Sequence, residues 1–311
     1  MSAKTAVSSE SRGFFKNKSV NPQWPGFFYI IPWIIGFIVF QLYPFGASLF
    51  YSFTNFSIGQ AWQWVGFDNY IHMFTQDRHF HNSVRVTIIY VIFSVPLKLA
   101  FSLFIAVILN MKIRALDAFR TVYYLPSILG SSVGIAILWR ALFTYEGLVN
   151  TILPFAGLPR IHFLGSPDIA IYTISMLAVW QFGSSMVIFL AGLKQVPSEM
   201  IEAARVDGAS RLQVFRKITL PMISPMIFFN IIMQMNMAFQ QFNAPFLITR
   251  GGPLHSTYLY GLMIYDNAFR FQRMGYACAL SWVLFLVIMI FTACVFKSSP
   301  YWTYYEDGGM K

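Results

Sequence analysis

The sequence predicts an all-α integral membrane protein with six transmembrane helices, and three observations carry that reading. The 311-residue chain is 57% hydrophobic and 18% aromatic but only 11% charged, against roughly 25% charged in soluble domains. Its mean hydropathy is +0.57. Its charged residues leave long intervals free of any Asp, Glu, Lys or Arg. A soluble fold cannot hide that much apolar surface, and an intrinsically disordered chain is excluded for the same reason. A polytopic membrane protein accommodates all three observations.

The charge-free intervals supply the spans in order. They run from Ser19 to Phe67, Thr121 to Trp139, Ile169 to Leu193, Ile218 to Thr249, and Met274 to Phe296. Each can hold the ~20 apolar residues of a spanning helix. The first turns polar after Thr54, so its helix is placed at 27–53. A further span, 84–111, is interrupted only by Arg85 at its edge and by Lys98. The expected spans are therefore 27–53, 84–111, 119–143, 168–193, 222–249 and 274–297. Helices are expected because the lipid core offers backbone groups no solvent partner.

Basic residues set the orientation. With the N-terminus inside, 14 of the 22 Lys and Arg fall in the inner tails and loops, and six fall outside. Lys98 and Arg140 lie within spans. This bias predicts both termini in the cytoplasm. Residues 1–26 and 298–311 read as cytoplasmic tails around a 27–297 membrane domain. The N-terminal segment is not a secretory signal, since the apolar run behind it is too long and lacks a small-residue cleavage pattern. The net charge of +10 sits sparsely between apolar blocks, so no nucleic-acid partner is expected.

The inner loop 196–225, VPSEMIEAARVDGASRLQVFRKITLPMISP, is unlike a passive connector. Pro197 and Ser198 start a helix with Glu199 and Glu202 in its first turn, where the dipole favours acids. Gly208 ends it, because glycine takes the left-handed cap conformation easily. Ser210 and Gln213 start a second helix as a capping box, with Leu212, Phe215 and Ile218 on one face. Ala203 and Ala204 leave room for another surface to approach closely. By physics alone the loop is either a compact elbow for a partner or an interfacial cap on two spans.

The residue pattern decides between these. Glu202-Ala203-Ala204, Asp207-Gly208-Ala209, Phe215, Ile218, Leu220 and Pro221 resemble the EAA loop of permease subunits of ATP-binding-cassette importers. Leu247-Ile248-Thr249-Arg250-Gly251-Gly252-Pro253 resembles an outer loop of the carbohydrate branch, as do Leu125-Pro126 and Trp139-Arg140-Ala141-Leu142-Phe143. The resemblance covers about residues 27–296 and is to the maltose-permease family in a compact six-span form. Two extra N-terminal spans and a large external insert are absent, so contacts made through that insert are not carried over.

That resemblance implies a type I importer fold, a bacterial cytoplasmic membrane location, and alternating access driven from outside the chain. Its coupling helix, with Glu202, Ala203, Ala204, Asp207 and Gly208, would seat in a groove of the ATPase subunit. The implied partners are a second homologous permease, an ATPase dimer that binds ATP and Mg2+, an extracytoplasmic sugar-binding protein, and the lipid bilayer. No cofactor, metal or catalytic residue is expected in this chain, and no phosphate-cradling G-x-x-x-x-G-K-[ST] motif occurs in it.

The substrate path is sought among polar residues at membrane depth, which are costly to place there. Span five carries Asn230, Gln234, Asn236, Gln240, Gln241 and Asn243; span four carries Trp180, Gln181, Ser184 and Ser185. Gln234, Met237 and Gln241 fall at i, i+3 and i+7, hence on one helical face. Amides bond sugar hydroxyls and aromatic rings stack on sugar faces, but such residues also join helices to one another. Against the resembling permeases, Trp180, Gln181, Ser184, Gln234, Met237 and Gln241 become the substrate contacts. Lys98 reads as snorkelling or subunit-pairing rather than pore-facing, and Arg140 as snorkelling. The five histidines read as solvated loop residues, with His72, His79 and His81 loosely clustered. Two other functions stand as alternatives. An ion-coupled secondary sugar transporter would need coupling-ion sites and inverted repeats. A membrane enzyme acting on lipid-linked sugar would need acids at the membrane face. Neither pattern is found.

Overall fold

The computed structural model describes residues 23–111, 116–130 and 132–304. Among the described residues the structure is helical, with only an isolated β-bridge between Thr54 and Trp64. The chain divides into two compact units, Met1–Ser48 and Leu49–Lys311. The first holds α1 (Gln23–Phe37), a π-helical segment at Ile38–Leu42, and the start of α2 (Tyr43–Ser52). Trp33 stacks on Phe37 one turn later, with ring centres 5.6 Å apart.

The second unit is organised on one long helix. After α3 (Asp68–Thr75), α4 runs unbroken from Arg78 to Asn110. Its 33 residues reach about 50 Å, well beyond the ~30 Å lipid core. The helix starts six residues before the expected boundary because Asp77 caps it. One carboxylate oxygen accepts from the backbone N–H of His79 at 2.8 Å and of Phe80 at 3.2 Å. Along one side of α4 the buried residues are Ser83, Thr87, Tyr90, Ser94, Lys98, Ser102, Ala106 and Leu109. Small polar groups at three- and four-residue spacing let neighbouring helices approach closely.

The neighbours are α8 (Ala170–Trp180), α9 (Gly183–Gln195) and α13 (Ser224–Phe239), all packed against α4. Two apolar clusters result. Phe80, Tyr90, Ile174, Leu177, Leu259, Met263 and Leu280 fill one end. Ile105, Ala106, Leu109, Met186, Phe189, Leu190 and Ile223 fill the other. Leu99 of α4 borders both.

Among the described residues, three helices are long and apolar enough to cross a membrane: Phe28–Ser52, Arg78–Asn110 and Met274–Tyr301. Three bent pairs raise the number to as many as six. The expected third and fourth spans are not single helices. Val122–Leu129 meets Val133–Ala156 at 102°, and Ala170–Trp180 meets Gly183–Gln195 at 46°. A third bend, of 65°, separates Arg211–Met222 from Ser224–Ile248. Beyond α13, the chain continues as α14 (Asn243–Ile248), α15 (Tyr260–Tyr265) and α16 (Met274–Ser298). The first residues of the expected C-terminal tail fold back on span five: Tyr304 N–H donates to Ser224 Oγ at 2.8 Å.

Candidate functional site

The candidate substrate residues gather where helices break. α8 ends at Trp180 and α9 starts at Gly183, which leaves Gln181 and Phe182 outside regular helix. The break is tied to its neighbours by polar bonds. Gln181 Nε2 donates to the Gly130 carbonyl at 2.8 Å, at the break of the preceding span. Ser184 N–H donates to Ser127 Oγ at 3.1 Å. Ser102 Oγ of α4 donates to the Phe182 carbonyl at 3.1 Å, which also accepts from the Met186 N–H at 3.0 Å. Gly183 makes this approach possible, since a Cβ there would lie 2.8 Å from both Ser127 Oγ and the Tyr123 carbonyl. Trp180 stands beside Trp139, ring centres 6.4 Å apart. Backbone groups released at such breaks are tolerated at membrane depth only where protein or a water-lined cavity surrounds them.

Span five breaks as well, which corrects the expected face. α13 ends at Phe239, and α14 begins only at Asn243. Pro245 accounts for the gap, because its missing N–H and its ring remove the helical bond to the Gln241 carbonyl. Gln234, Met237 and Gln241 therefore do not form one stripe. Gln234 is buried at 6% exposure, Met237 is 61% exposed, and Gln241 lies half-buried in the break. Gln240 Nε2 instead bonds Asn236 Oδ1 at 3.0 Å.

At the other end of this unit the elbow forms as expected in outline. α10 (Ser198–Val206) is followed by Gly208 at φ +82°, in the left-handed region. Gly208 N–H donates to the Arg205 carbonyl at 3.0 Å and Ala209 N–H to the Ala204 carbonyl at 2.9 Å. The capping box at Ser210 and Gln213 is present, opening α11 (Arg211–Val214). The apolar face differs from expectation. A π-helical turn at Phe215–Thr219 rotates the chain, so Val214 is buried while Leu212 is 58% exposed. No residue of α10 is buried, and Val206 is 88% exposed. Glu202, Ala203, Asp207 and Gly208 are exposed, and Ala204 is half-buried.

Residues 86–298 match the family of binding-protein-dependent transport system inner membrane components. The chain belongs to that family. It is 48% identical over 285 residues to the probable ABC transporter permease protein YesP of Bacillus subtilis, covering 91% of this chain and 92% of the relative. It is 32% identical over 286 residues to the multiple sugar-binding transport system permease protein MsmF of Streptococcus mutans, covering 91% and 97%. A solved bacterial alginate ABC transporter, in complex with an alginate pentasaccharide-bound periplasmic protein, superposes with a TM-score of 0.78. That match is 23% identical and covers 91% of this chain and 96% of the solved one. The chain is thus an ABC transporter permease subunit and not an enzyme, and ATP hydrolysis belongs to a separate subunit.

Two sequence expectations for the permease change on inspection. Lys98 does not snorkel: it lies mid-helix at 9% exposure, and no carboxylate among the described residues pairs with it. The histidines do not group as expected either. His72 and His79 line a common cavity with His255, from a distant loop, and His81 is not part of it. The sequence gives no sign of the Gly130 and Phe182 carbonyls, which accept from the Gln181 amide and the Ser102 hydroxyl across the bundle. Pro245 was the available signal for one break. For the other, only the Gly183 packing position marks the site.

Proposed function

We propose that this permease forms half of the pore of an ATP-driven importer for a sugar, an oligosaccharide foremost, with a second homologous permease supplying the other half. The observation that carries the reading is the pairing of two features on one chain. One is a set of broken helices with polar residues at membrane depth. The other is an exposed elbow joined to span five through a single bend. The sugar-transport name of the Streptococcus relative and the alginate cargo of the solved transporter support the substrate class.

In this reading Glu202, Ala203, Ala204, Asp207 and Gly208 seat against an ATPase subunit, which holds ATP and Mg2+. A free helix with exposed Val206 and Met200 suits a partner's groove. Closure of the ATPase dimer moves α10, and the motion enters span five at the bend beside Ile223. Trp180, Ser184, Gln234, Met237 and Gln241 contact the sugar. Gln181 is a separate case, because its amide is already engaged with Gly130, which favours a bridging role between spans three and four. A loaded extracytoplasmic binding protein delivers the sugar on the face opposite the elbow, and both termini lie in the cytoplasm.

Reconstitution tests this directly. Proteoliposomes with the permease pair, the ATPase and the binding protein should take up an oligosaccharide only with ATP inside. Uptake driven by an ion gradient without ATP would reject the proposal.

A further inference from the structure

Among the described residues Lys98 is the only buried lysine or arginine, at 9% exposure. Its ammonium group makes no hydrogen bond and no ion pair with any of them. The Cα–Cβ bond of a helical residue tilts toward the start of its helix. Lys98 lies about 30 Å from the start of α4 and about 18 Å from its end. Its stem therefore leans away from the nearer end of the helix. A second permease does not explain the cation either. A group built to pair across subunits would stand on the outside of the chain, whereas Lys98 is enclosed by helices of its own chain. Charges placed in this way at membrane depth mark substrate paths.

Lys98 lies at the level of the helix breaks. Ser102, one turn on, donates to the Lys98 carbonyl at 2.6 Å and to the Phe182 carbonyl at 3.1 Å. A single hydroxyl thus joins Lys98 to the interruption that follows Trp180. α4, α9 and α13 also pack on one another, and the other two helices hold buried polar groups without partners. Ser185 Oγ of α9 and Asn230 Oδ1 of α13 have none among the described residues. The Gln234 amide, one turn beyond Asn230 and 6% exposed, makes no hydrogen bond with them. Buried polar side chains in native proteins are nearly all bonded. An ammonium, a hydroxyl and two amides left open on three mutually packed helices fit a ligand that is both hydroxylated and anionic.

Resting on the pore reading proposed above, we infer that Lys98 receives a carboxylate of the sugar in transit, so that the cargo of this importer is an acidic oligosaccharide. A neutral sugar would satisfy the amides and the serine but leave the cation uncompensated. A uronate answers both, because an ammonium–carboxylate bond is charge-assisted and stronger than a bond between neutral groups.

The test uses matched probes. Digalacturonate and digalactose differ only in carrying a carboxylate or a hydroxymethyl group on each ring, and dimannuronate and dimannose form a second such pair. Each is titrated against the assembled importer in lipid nanodiscs, without binding protein, by saturation-transfer NMR, which reads weak binding. The wild type should bind the acidic member of at least one pair about tenfold tighter than its neutral counterpart. Lys98→Met should lose that preference while keeping the neutral affinity, and Lys98→Arg, which keeps the charge, should retain most of it.

Assembly and thermal midpoint supply a second readout. Methionine removes an unpaired buried charge and keeps the length of the stem, so the empty Lys98→Met complex should assemble normally with an equal or higher midpoint. Poor assembly or a lower midpoint would show a cation already paired within the complex and overturn the inference. Equal binding of acidic and neutral sugars by the wild type overturns it too, but leaves the pore reading intact. An acidic preference that survives in Lys98→Met places the carboxylate elsewhere and rejects Lys98. Binding of no probe also overturns the inference, and the uptake assay above then decides the pore reading by itself.

Discussion

Gly208 offers a clean test of the elbow. Its φ of +82° is a conformation that L side chains adopt at a cost of about 1–2 kcal/mol. A Cβ added there meets nothing within 4 Å, so Gly208→Ala introduces backbone strain without a clash. That strain opposes the two hydrogen bonds that close α10, from Gly208 N–H to Arg205 and from Ala209 N–H to Ala204. A penalty of this size shifts the balance between closed and opened elbow about 5- to 30-fold toward the open form. Gly208→Asn should be milder, because asparagine visits the left-handed region more readily, and Gly208→Val harsher, because it is β-branched. The assay is binding-protein-stimulated ATPase and ATP-driven uptake in proteoliposomes, with assembled complex quantified alongside. The expected order of transport is Gly, Asn, Ala, Val at equal assembly. Equal transport by Ala and wild type, or an Asn variant as impaired as Val, would refute the reasoning.

Three further outcomes are expected. Gly183→Ala drives a methyl against Ser127 Oγ and the Tyr123 carbonyl; overpacking of this kind costs about 1–3 kcal/mol, read as a lower thermal midpoint of the purified complex, and an unchanged midpoint would mean that the two helices do not meet there. In a background lacking Cys278 and Cys294, an impermeant thiol reagent should label His255→Cys and not Arg211→Cys in intact cells; the reverse pattern overturns the orientation. Gln234→Leu and Gln241→Leu should each remove hydrogen bonding to substrate worth about 0.5–1.5 kcal/mol, lowering uptake several-fold with complex yield intact, whereas full uptake by the double variant rejects both contacts.

The helical class and the elbow were legible because each rests on a local signal. Charge-free intervals mark apolar segments regardless of what packs on them, and Ser210 and Gln213 cap a helix from within four residues. The candidate site was legible in composition but not in shape. Periodicity assumes a continuous helix, so Gln234, Met237 and Gln241 fell on one face on paper. Pro245 breaks that helix from four residues downstream, and the stripe dissolves. Gln181 was read as a pore residue from its polar character in span four and from the resembling permeases. Its bond to Gly130 joins positions 51 residues apart, and no local pattern encodes that. Lys98 misled in the opposite direction: snorkelling is a habit of residues near helix ends, and α4 extends too far on either side of it.

The contrast between the intact α4 and its interrupted neighbours bears on how such permeases change cargo over evolutionary time. α4 is packed against several helices at once, so nearly every substitution on its buried side must be answered by another elsewhere. Some positions at the breaks are different, because Gln240 is exposed and bonds only Asn236 one turn back, and Gln241 and Ser184 are half-buried. A residue at Gln240, Gln241 or Ser184 can be exchanged without repacking the bundle. Divergence among relatives that carry different cargo should therefore concentrate at the interruptions, while α4 drifts slowly and mostly in volume-conserving steps.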